Sequence, residues 1–77
     1  ATLAETRARR AALVQALAAL KRALGHADDR YRAGVSSFLD VLDAQRALFV
    51  TEIELARADR ELAAAQVRLH KALGQGW

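Results

Sequence analysis

The stretch Arg30-Tyr31-Arg32-Ala33-Gly34-Val35-Ser36-Ser37-Phe38-Leu39-Asp40-Val41-Leu42-Asp43-Ala44-Gln45-Arg46 decides the fold. It sets one glycine between two long helical patterns. Gly34 suits the left-handed C′ position that ends a helix, because it has no Cβ to clash there. Ser37, followed three residues later by Asp40, has the spacing of a capping box that opens a new helix, with Ser36 as the alternative cap. Asp40 also suits the positive end of a helix dipole. A chain that stops one helix and starts another within a few residues folds back on itself. The stretch predicts the bend of an antiparallel hairpin with an acidic tip.

Upstream, a first helix is predicted over about residues 2–32. Leu3, Leu17, Leu24 and Tyr31 share one heptad position, with Arg10 the exception, and Leu13, Leu20 and Ala27 follow three residues later. This 3-4 spacing is a coiled-coil seam. Gly25 inside the pattern is either a tolerated weak point, about 1 kcal/mol worse than alanine, or a site of close helix approach. Downstream, a second helix is predicted over about residues 38–73. Val41, Leu48, Leu55, Leu62 and Leu69 recur every seven residues, with Ala44, Thr51, Ala58, Ala65 and Ala72 three residues after them. The seam leucines are therefore Leu17 and Leu24 on one arm and Leu48, Leu55, Leu62 and Leu69 on the other. Folding back at Gly34 would set Leu24 near Leu48 and Leu17 near Leu55. The tip turn covers about 33–37. Gly74 is a second plausible stop, leaving a short tail over 74–77.

The second helix has more apolar surface than one partner can cover. Leu42, Phe49, Ala56 and Ala63 form a second line. Leu39, Ile53 and Val67 form a third, broken by Arg46 and Arg60. The 77 residues are 53% hydrophobic but only 5% aromatic, so alanine supplies helix propensity without much bulk for a core. A lone hairpin of this size is marginal. The composition predicts an all-α, antiparallel two-helix coiled-coil hairpin that self-associates into a helical bundle.

Net charge is +3, yet the charges alternate in sign along the chain. Glu5 precedes Arg9, Asp28 precedes Arg32 and Arg57 precedes Glu61, each by four residues, as on solvated helix faces. Only Arg7, Arg9 and Arg10 cluster. No aromatic interleaving or DNA-binding motif points to nucleic acid. No apolar run reaches the roughly 20 residues of a membrane span, and the N-terminus lacks the apolar core of a signal peptide. There is no cysteine. His26 and His70 lie on different arms, without ligands at zinc spacing, so no metal and no cofactor is expected. Ser36 and Ser37 have no histidine base nearby. Asp40 and Asp43 share a helix face but no concave site, which argues against an enzyme. If several hairpins converge at their tips, Asp43 repeats around an axis as a carboxylate ring that attracts cations. Leu39, four residues earlier, would add an apolar ring, and the two together make a plausible gate.

The quoted run resembles the pattern RYxxGxxxxLxVLDAQ of TolC-like outer-membrane efflux channels. Arg30, Tyr31, Gly34, Leu39, Val41, Leu42, Asp43, Ala44 and Gln45 carry the match. The ending Lys71-Ala72-Leu73-Gly74-Gln75-Gly76-Trp77 resembles the KALGGGW ending of the same family, with Gln75 in place of a glycine. The resemblance implies a homotrimer with a β-barrel in the outer membrane of a Gram-negative bacterium and an α-helical tunnel through the periplasm. It implies that Ala33, Gly34, Val35, Ser36 and Ser37 dock a periplasmic adaptor, and through it an inner-membrane pump. It implies that Leu39, Asp40 and Asp43 line the closed entrance. No β-strand segment and no first hairpin occur in these 77 residues, so the chain reads as the second hairpin of such a channel. The alternatives are a free-standing coiled-coil scaffold, which the heptads alone support, and a small basic nucleic-acid binder.

Overall fold

The computed structural model describes residues 2–74 and contains two helices, α1 (Leu3–Arg32) and α2 (Phe38–Gly74). They run antiparallel and pack along their length as a hairpin 66 × 16 × 15 Å in extent. Gln75, Gly76 and Trp77, the end of the proposed tail, lie outside the described residues.

α1 starts at a true side-chain cap. The Glu5 N–H donates to Thr2 Oγ1 at 3.1 Å, and Thr6 Oγ1 donates to the Thr2 carbonyl at 3.0 Å. Thr2 and Glu5 have the serine/threonine-to-glutamate spacing of a capping box. α1 ends in a Schellman motif. Gly34 has φ +75°, its N–H donates to the Tyr31 carbonyl at 3.0 Å, and the Val35 N–H donates to the Arg30 carbonyl at 2.9 Å. These two bonds satisfy carbonyls that the helix end leaves free. α2 starts differently from the capping box read at Ser37. The Asp40 N–H donates at 3.2 Å to the Ser37 backbone carbonyl, and the Ser37 hydroxyl caps nothing. The tight turn brings the carbonyl to the place the hydroxyl would occupy. Ser36 Oγ is shielded from solvent and makes no hydrogen bond.

The buried side follows the heptads. Along α1 it runs through Leu3, Thr6, Arg10, Leu13, Leu17, Leu20, Leu24 and Ala27. Along α2 it runs through Val41, Ala44, Leu48, Thr51, Leu55, Ala58, Leu62 and Ala65. Among the described residues only Thr6, Val41 and Ala58 are buried, because two helices cannot enclose a seam from all sides. Leu69, read as part of this seam, is 52% exposed. α2 has 37 described residues and α1 has 30, and Leu69 stands past the height of the described part of α1.

The register differs from the simple fold-back. Tyr31 packs against Phe38 with ring centroids 5.1 Å apart and planes tilted by 57°, and Arg10 reaches Asp59. Those contacts set Leu24 level with Gln45 and Leu17 level with Glu52, about one turn nearer the tip than Leu48 and Leu55. The Schellman turn reverses the chain immediately, which shortens the loop. Gly25 is exposed, and a Cβ built on it meets nothing within 4 Å. Within the hairpin it is a weak point in the helix and not a site of close approach between α1 and α2. A shallow depression of about 350 Å³ opens beside it, lined by Lys21, Leu24, Asp28, Val41 and Gln45.

Candidate functional site: the tip and the two faces of α2

The tip is built by the glycine turn and the first turns of α2. Ala33, Gly34, Val35 and Ser37 are exposed and Ser36 is half-buried. Val35 is 68% exposed at the apex, an apolar side chain held outward by the turn. Leu39, Asp40 and Asp43 follow on the opening turns of α2, and all three are exposed, Leu39 at 67%. Docking residues and entrance residues therefore occupy one end of the molecule. The tilted Tyr31–Phe38 contact braces the base of this tip across the two helices.

Away from the tip, α2 presents a second continuous line. Leu39, Leu42, Arg46, Phe49, Ile53, Ala56, Arg60, Ala63 and Val67 repeat the 3-4 spacing, and every one is exposed. Phe49 is 63% exposed. What sequence reading separated into two lines is one stripe on the far side of the helix from α1. On α1 the outward row Ala4, Ala11, Ala18 and Gly25 is small, and the row beside it, Ala8, Gln15, Arg22 and Asp29, turns polar toward the tip.

The charged groups hold an arrangement that a helix-by-helix reading missed. Arg9 donates to Glu61 at 2.6 Å across the hairpin, and Arg10 donates to Asp59. Two arginines of the basic cluster are thus paired with the opposite helix. Arg10 sits on the seam itself, level with the fully buried Ala58, and its charged head reaches out to the rim. The sequence signal was present, since an arginine on a heptad position needs an acid at the same height on the partner. Asp28 and Arg32 form the pair expected along one helix, at 3.0 Å. His26 and His70 are both exposed. Among the described residues no group of three His, Cys, Asp or Glu side chains could hold a metal ion. No described helix is long and apolar enough to cross a membrane.

Fold and surface define a class: an antiparallel coiled-coil hairpin with a glycine tip and a second, uncovered apolar line. A family profile described as outer membrane efflux protein matches residues 1–75, and the chain belongs to that family. It is 47% identical over 51 residues to the solvent efflux pump outer membrane protein SrpC of Pseudomonas putida, covering 66% of this chain and 11% of the relative. It is 38% identical over 63 residues to the pyoverdine export outer membrane protein OpmQ of Pseudomonas aeruginosa, covering 82% of this chain and 13% of the relative. It is 39% identical over 61 residues to the cation efflux system protein CusC of Escherichia coli, covering 79% and 13%. The chain spans about a tenth of the length of the curated relatives it matches. No solved structure matches it significantly.

Proposed function

We propose that this chain is a periplasmic tip hairpin of an outer-membrane efflux channel. It forms part of the helical tunnel and entrance, carries out no chemistry and needs no cofactor. The observation that carries this reading is the exposed apolar line on α2, which continues along the hairpin although the first helix already occupies the opposite side. Such a face calls for further helices. The large side chains of that line suit the small outward row Ala4, Ala11, Ala18 and Gly25 of α1. Hairpins set side by side would place the first against the second, a heterologous contact that repeats around a homotrimer.

In this reading the Ala33–Ser37 turn docks a periplasmic adaptor, which links the channel to an inner-membrane pump for export of small molecules. Val35 is the apolar contact and Gly34 keeps the turn tight. Leu39, Asp40 and Asp43 line the entrance, where repeated carboxylates attract cations and a repeated leucine narrows the passage.

The experiment uses the full-length parent channel carrying Val35→Asp or, separately, Gly34→Trp. Drug susceptibility, adaptor cross-linking and trimer assembly are measured together. The expected outcome is lost efflux and lost cross-linking with an intact trimer. Unchanged efflux at unchanged channel abundance overturns adaptor docking at this tip.

A further inference from the structure

α2 offers its partner two apolar faces, and burial alone does not choose between them. The face that α1 covers carries Val41, Leu48, Leu55 and Leu62 between alanines and one threonine. The face it leaves open carries Leu39, Leu42, Phe49, Ile53 and Val67, side chains at least as large. Large apolar side chains are thus of similar number on the two faces, and Arg46 and Arg60 interrupt the open one. Some other interaction directs α1 to the first.

The charges at the end of the hairpin remote from the tip supply it. Arg9 and Arg10 of α1 bond to Glu61 and Asp59 of α2. Asp59 borders both faces, so it discriminates little. Glu61 borders only the covered face. Arg60 lies within the open face at the same height. A first helix placed on the open face would lose Glu61 and set Arg9 and Arg10 against Arg60. We infer that the neighbouring residues Arg60 and Glu61 select which face of α2 receives α1, by repulsion on one side and attraction on the other. They are positioning residues, and the pair that Glu61 forms with Arg9 is exposed, so their effect is on choice of face more than on stability. The selection concerns the hairpin alone and stands whether or not the tip docks an adaptor.

The test exchanges the two residues. Arg60→Glu with Glu61→Arg keeps composition and net charge and touches no residue of the seam. The chain has no cysteine among its described residues, and its sequence contains none, so introduced thiols report cleanly. One variant carries Leu13→Cys with Leu55→Cys, which bridges across the covered face. The other carries Leu13→Cys with Ala56→Cys, which bridges to the open face at nearly the same height. Disulfide equilibrium against glutathione, at a concentration where the chain is monomeric, gives the ratio of the two. In the natural background the first bridge dominates. In the exchanged background the ratio falls on the order of tenfold at low salt, and ~1 M salt shrinks the difference between backgrounds. The salt arm on the unexchanged chain requires no charge variant, and there the ratio falls as salt rises. A ratio that responds neither to the exchange nor to salt overturns the inference.

Discussion

Gly34 bends the chain at φ +75°, with open space where a Cβ would point. The demand on this position is conformational and not steric. Gly34→Ala is expected to destabilise the hairpin by about 1–2 kcal/mol, and Gly34→Asn by less, since asparagine tolerates the left-handed region. Urea unfolding followed by circular dichroism measures both, and equal losses would contradict the assignment. Gly25 lies in ordinary helix with the same open space. There the sign reverses: Gly25→Ala is expected to stabilise by about 1 kcal/mol. Gly25 within α1 and Gly34 just past its end thus respond oppositely to the same substitution, which thermal melts of the two variants side by side would display.

At the scale of the helices, the seam sets the ranking. Leu55 is half-buried between the arms and Leu69 lies beyond the end of α1. Leu55→Ala is expected to cost roughly 2 kcal/mol, whereas Leu69→Ala should fall within about 0.5 kcal/mol of neutral. Equal losses in chemical denaturation would mean that the overhang is packed after all. The heptads made this seam legible, since periodicity reports which side of a helix is apolar. They could not show which residues of the two arms stand level, because that depends on how tightly the turn reverses the chain. Gly34 was legible because few residues suit a helix end so well. The capping box at Ser37 misled because the same spacing also fits a turn closed by the Ser37 carbonyl. The cap at Thr2 carried the same signature and was real. Arg10 read as a break in the pattern, and only the register of the two arms reveals that Asp59 stands at its height.

For the whole molecule, exposed area is the telling quantity. The chain exposes 5903 Å² at 8.4 kDa, where a compact monomer of that mass exposes roughly 4,600 Å². The excess exceeds the roughly 800 Å² per partner that a stable interface buries. The isolated chain is therefore expected to associate through the open line of α2, with helicity and sedimentation coefficient both rising with concentration. Phe49→Asp should abolish that rise without altering the intramolecular seam, and a monomer at all concentrations would refute it. The two apolar lines of α2 have one more consequence. At about 100° per residue their centres stand roughly 150° apart around the helix and not 180°. A row of helices joined through both lines cannot lie flat. It turns by roughly 30° at each member and closes on itself after on the order of a dozen. The diameter of such a tube is written in the offset between two stripes on one helix.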